Sequence, residues 1–122
     1  MYSKLLLDHF QNPRNVGELS DATVAVETSN PVCGDVLKLF ARIENGRLGE
    51  IRFLFRGCTA TIACASMLTE HLTGKTVAEA SALNPEALSA ALGQLPPASF
   101  HAAQLAVDAL RDLVEKASRR PA

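Results

Sequence analysis

The chain has 122 residues, 48% of them hydrophobic and 20% charged, with 12 Lys+Arg against 13 Asp+Glu for a formal net charge of −1. That length suits one domain of about 100–200 residues and excludes a multidomain enzyme, and the composition is that of a packed globular protein rather than a disordered one. The even charge balance, without a long run of either sign, leaves no cationic patch for nucleic acid or an anionic membrane, and no apolar stretch approaches the ~20 residues that span a bilayer.

The start, Met1-Tyr2-Ser3-Lys4, leads into only three leucines, so no signal peptide is expected and the cytoplasm is the expected compartment. Three cysteines, Cys33, Cys58 and Cys64, are an odd number too small for a disulfide framework. In a reducing compartment such thiols point to metal binding or catalysis.

In chain order, Ser3 can cap a short helix carrying Leu5, Leu6, Leu7, His9 and Phe10, which must stop before Pro13 because proline disfavours a helical residue ahead of it. Residues 11–17 form a turn-rich loop, and Thr23 to Thr28 reads as a short strand. From Val36 to Glu44 the apolar residues Leu37, Leu39, Ala41 and Ile43 lie two apart, as do Ile51, Phe53 and Phe55. Both runs are half-buried strands. Asn45-Gly46 and Gly49 between them predict an antiparallel hairpin with a loop longer than the minimum.

After Gly57-Cys58 the composition changes to Ala, Met, Leu and Thr without alternation, and Gly74 marks the stop of a long helix. Thr76 with Glu79 fits a capping box, and Asn84-Pro85 sets a cap before a proline at the first helical position, so two short helices follow. Leu95-Pro96-Pro97 breaks the chain. The last segment puts Phe100, Ala103, Val107, Leu110, Val114 and Ala117 on one helical face, with Gln104, Asp108, Arg111 and Glu115 opposite. Strands grouped ahead of helices predict an α+β fold: a sheet of about three antiparallel strands packed against helices in one domain over 1–118, with 119–122 as a solvated tail.

Four potential ligands fall at the ends of these elements: Cys33 and Asp35 before the hairpin, Cys58 after it, and His101 at the start of the last helix. An antiparallel hairpin starts its first strand beside the finish of its second, which makes Cys33 and Cys58 neighbours if both lie at that end of the sheet. Gly34 and Gly57 stand beside the two cysteines and let the loops approach a bound ion closely. Two thiolates, an imidazole and a carboxylate suit tetrahedral zinc or iron. Spacing alone favours core packing of the cysteines over a metal site, since no CxxC pair is present. Cys64, among Ile62, Ala63, Ala65 and Met67, reads as buried packing. His71 reads as a partner of its helix dipole and His9 as the closing residue of the first helix.

These residues also resemble a known family, the IscU/NifU-type iron-sulfur cluster assembly scaffolds. His9-Phe10 with Asn12-Pro13-Arg14-Asn15-Val16-Gly17 resembles its N-terminal signature, and Asn30-Pro31-Val32-Cys33-Gly34-Asp35 its first ligand loop. Gly57-Cys58 with the Ala/Ser/Thr-rich helix and Thr73-Gly74-Lys75-Thr76 resembles the second cysteine region, and Leu95-Pro96-Pro97 before His101 the third. The resemblance implies a SufE/NifU-like fold, a cluster-binding set of Cys33, Asp35, Cys58 and His101, and a cysteine desulfurase and apo iron-sulfur proteins as partners. The family has a third cysteine after the histidine, where this chain has Ala102, whose methyl can neither bind iron nor accept a persulfide. The loop Leu95-Pro96-Pro97-Ala98-Ser99 lacks the valine-lysine ending through which IscU-type scaffolds meet a dedicated Hsp70-type chaperone. The SufU-type insertion is not evident.

The leading expectation is a scaffold or carrier, a binding protein rather than an enzyme, that holds iron or a labile 2Fe-2S cluster for transfer to apo-proteins, as a monomer or a cluster-bridged dimer. The alternative is a zinc-binding domain of the same fold without assembly activity that binds or regulates a desulfurase. A third reading makes Cys58 a nucleophile at a helix N-terminus with His101 as its base.

Overall fold

The computed structural model describes residues 2–31 and 34–119. Ser3 caps helix α1, Lys4–Gln11, by accepting from the Leu6 amide, and the chain then crosses to strand β1, Val24–Ser29. Strands β2, Val36–Glu44, and β3, Arg47–Arg56, complete a purely antiparallel sheet of order β1-β2-β3. Helix α2, Thr59–Leu72, follows directly. Two short helices come next, α3, Val77–Ser81, with its Thr76–Glu79 capping box formed in both directions, and α4, Pro85–Ala91, capped by Asn84. A 3-10 turn at Pro97–Ser99 then leads into helix α5, Phe100–Ser118. The elements expected from periodicity and caps are all present, and the α+β class with a three-stranded sheet stands.

The hairpin departs from expectation. Its loop is the minimum two residues, Asn45 at φ 54° and Gly46 at φ 75°, flanked by the pair Glu44↔Arg47. Both turn residues take the positive φ that matches the right-handed twist of the strands. Gly49 lies inside β3, because the register steps from Arg42↔Glu50 to Ile43↔Leu48 and leaves it without a partner across the ladder. It is a bulge residue rather than a loop residue.

Alternate residues Leu37, Leu39, Ala41, Ile51 and Phe53 are at most 1% exposed and face helices α2 and α5. Helix α2 is enclosed on most sides by α1, α4, α5 and β3, so nine of its fourteen residues are buried. Its Ala, Ser, Thr and Cys side chains make that possible by allowing close approach of neighbouring backbones. Helix α5 buries a wider face than its apolar stripe suggests, adding Ala102, Leu105, Ala106, Ala109 and Leu113, because β1, α2 and α4 all pack on it.

Candidate metal centre

Two chain ends meet at one end of the sheet. Asp35 immediately precedes β2, Cys58 follows β3 with Gly57 between, and the terminal ladder pair Val36↔Arg56 fixes their separation. The Asn30 amide donates to the Asp35 carbonyl at 2.8 Å, and the Gly34 amide to the Asn30 carbonyl at 2.8 Å, which closes the loop ahead of β2. Cys58 is the N-cap of α2 with extended backbone, φ −82° and ψ 174°, and its side chain makes no capping bond. Its thiol is exposed.

His101 enters from the first turn of α5. Its Nδ1 lies 3.2 Å from the Ala98 carbonyl, which can only accept, so the proton sits on Nδ1 and the Nε2 lone pair is left for a ligand bond. One donor atom from each of Asp35, Cys58 and His101 lies within 4.8 Å of the others. Bonds of about 2.0 Å to nitrogen or oxygen and about 2.3 Å to thiolate put two ligands of one tetrahedral ion roughly 3.3–3.8 Å apart. Closing that gap takes about an ångström, within reach of side-chain rotation by the exposed Cys58 and the half-buried His101. A soft thiolate beside imidazole and carboxylate suits iron or zinc.

Three of the four ligands expected from the sequence are therefore brought together. The fourth, Cys33, lies outside the described residues. Ala102 is wholly buried in α5, and its methyl offers no donor where the resemblance places a third thiol. Cys64 is also wholly buried, and desolvation, with a smaller push from Cys58, raises its thiol pKa to about 12. It packs and does not ligate, as its neighbours in sequence suggested.

Two further residues shape the site. Thr61, 1% exposed, donates its hydroxyl to Asp35 Oδ2 at 2.7 Å and lies 3.4 Å from the Cys58 sulfur. Sequence reasoning passed over it, although a polar residue three positions after Cys58 lies over the same helical face. Gly57 is required by a close approach, since a Cβ there would stand 2.8 Å from both Cγ and Oδ2 of Asp35.

The two remaining histidines differ from each other. His71 lies in the last turn of α2 and is exposed, as a residue on the helix dipole should be. His9 occupies the last turn of α1 but is 1% exposed and bonds Ser66 Oγ through Nδ1 at 2.7 Å. It joins α1 to α2 rather than merely closing its own helix.

The family model for the NifU-like N terminal domain matches residues 1–122. The chain is 46% identical over 111 residues, 91% of its own length and 72% of the relative's, to the iron-sulfur cluster assembly scaffold protein IscU 1 of Archaeoglobus fulgidus. It is 38% identical over 124 residues, 97% of its length and 79% of the relative's, to the iron-sulfur cluster assembly scaffold protein IscU of Aquifex aeolicus. A solved N-terminal NifU-like protein of Brucella abortus superposes with a TM-score of 0.79 at 16% identity, covering 98% of this chain and 95% of that one, a likeness of fold. With the signature segments in order along the sequence and the family model spanning its length, this chain belongs to the NifU-like N-terminal domain family.

Proposed function

We propose that this chain is an iron-sulfur cluster assembly scaffold or carrier, in which Cys58, Asp35 and His101, together with Cys33, take up iron and sulfide as cargo. The observation that supports it most is the convergence of Asp35, Cys58 and His101 donor atoms within 4.8 Å. They meet at one exposed end of the sheet in a chain 46% identical to a protein named as such a scaffold. The residues bind and release and carry out no turnover of their own. A nitrogen and an oxygen donor among thiolates make for exchangeable ligation, which delivery demands.

A cysteine desulfurase would supply the sulfur and apo iron-sulfur proteins would receive the cluster. The 2Fe-2S form is part of this proposal, as is a cytoplasmic site of action. No helix of the described residues is long and apolar enough to cross a membrane.

A zinc-holding domain is the second reading, favoured by Ala102. The buried methyl withdraws one donor but leaves a set sufficient for a single tetrahedral ion. Anaerobic purification with elemental analysis and a visible spectrum, with and without desulfurase, cysteine and ferrous iron, separates the two. Charge-transfer bands with iron and acid-labile sulfide, lost in Cys58→Ala and Cys33→Ala, are the expected outcome. Stoichiometric zinc with no colour under any condition would replace it with the second reading, and full metal stoichiometry in both variants would overturn the site itself.

A further inference from the structure

A side chain with no ligand role of its own stands between two of the candidate donors. Thr61 lies one turn into α2, 1% exposed, and its Oγ1 donates to Asp35 Oδ2 at 2.7 Å while lying 3.4 Å from the Cys58 sulfur. A hydroxyl has one proton and two lone pairs. With the proton on Asp35, the oxygen turns only lone pairs toward Cys58, so it accepts from the thiol and offers nothing to a thiolate. The orientation of the carboxylate is thereby set from α2, the same helix whose first turn carries Cys58.

Gly57 bounds the carboxylate from another direction, where a Cβ would stand 2.8 Å from Cγ and Oδ2. Asp35 is 8% exposed, with no stretch of open solvent in which to choose its own rotamer. The hydroxyl of a residue 26 positions away holds one of the Asp35 oxygens in an arrangement that places a carboxylate oxygen beside Cys58 and His101.

We propose that Thr61 is a positioning residue of the metal centre, whose hydroxyl holds the Asp35 carboxylate in its ligating orientation. The proposal rests on the reading of the Asp35–Cys58–His101 cluster as a metal site. Partners that orient a ligating side chain typically contribute about tenfold to a hundredfold in metal affinity.

Cobalt(II) is a suitable probe, because its ligand-field bands report coordination and its dissociation constant is read from the same titration of the apo-protein. Thr61→Val, which keeps the branched shape and removes the hydroxyl, is expected to weaken cobalt binding by about tenfold to a hundredfold and to alter the ligand-field spectrum. Thr61→Ser, which restores the hydroxyl, should bind as the wild type does. In an Asp35→Ala background, Thr61→Val should change the affinity no further, since the group it positions is gone. Thermal midpoints taken beside each titration identify a variant that misfolds, and Thr61→Ala then replaces the valine. An unchanged affinity in the hydroxyl-free variants would overturn the proposal, as would an equal loss with and without the Asp35 carboxylate, or a serine variant as weak as the valine one. A wild-type protein that binds no cobalt strikes instead at the metal-site reading beneath it.

Discussion

At the scale of single residues, a buried polar contact that joins α1 to α2 is His9 on Ser66. The Ser66 oxygen, 2.7 Å from His9 Nδ1, also accepts from the Arg14 amide at 2.9 Å. The imidazole Nε2 lies 3.7 Å from Glu70 Oε1. Burial lowers the His9 pKa below its ordinary value, the Arg14 charge adds to the effect, and Glu70 and Asp8 oppose it without cancelling it. The unfolded chain therefore binds a proton more readily than the folded one. Stability is level above the unfolded histidine pKa of about 6.5 and falls as pH drops through that value toward the lowered folded one. Urea midpoints between pH 8 and pH 5 should show this decline, and His9→Gln should flatten it. A slope that persists in the variant would assign it to another group.

At the scale of elements, turn and bulge chemistry sets the geometry that reaches the candidate metal centre. The two-residue turn and the Gly49 bulge fix the hairpin register, and the register carries through to Val36↔Arg56 beside Asp35 and Cys58. Gly46, at φ 75°, would meet no atom within 4 Å if given a Cβ, so substitution there costs backbone strain alone. Gly46→Ala should destabilise by about 1 kcal/mol with an unchanged denaturant slope. A change below a few tenths of a kcal/mol would show that the turn relaxes into another type. The contrast with Gly57 is instructive: there the penalty comes from a neighbouring carboxylate and not from φ, and it falls on the ligand set. Caps were legible in the sequence for α1, α3 and α4, because each is a local side-chain bond between positions three apart.

At the scale of the whole molecule, the outer edge of β3 is closed by chain from elsewhere, and β1 is tied to α5 by side chains. The free edge of β3 exchanges bonds with Asn15 and Gly17 at Phe53 and with Gly74 and Lys75 at Leu48. On β1, Lys116 donates to the Ala25 carbonyl at 2.9 Å, and Thr28 bonds Asp112 at 2.6 Å. A closed β3 edge resists pairing with other chains, a useful property for a protein proposed to dock transiently with several partners. Inside, α2 is enclosed on most sides, and Cys64 on it is wholly buried with its pKa pushed up to about 12. Alkylation of Cys64 should therefore require unfolding, whereas Cys58 should label in the native state. Peptide mass spectrometry after iodoacetamide with and without denaturant measures both. Native labelling of Cys64 at the rate of Cys58 would mean that α2 opens locally.

Periodicity, caps and breakers determined the number, kind and order of the elements, since each is a local property of the chain. The pairing of the strand after Asp35 with the strand before Cys58 was likewise legible, because a hairpin joins neighbours in sequence. Packing alone decided that α2 would be enclosed on most sides, for its small residues show no strong apolar stripe and take their burial from α1, α4, α5 and β3. It also decided which polar side chains would meet at long range: His9 with Ser66, 57 positions apart, and Thr61 with Asp35, 26 apart. Such contacts depend on how helices seat on the sheet, and a one-dimensional pattern of polar residues does not say which of them will be buried together.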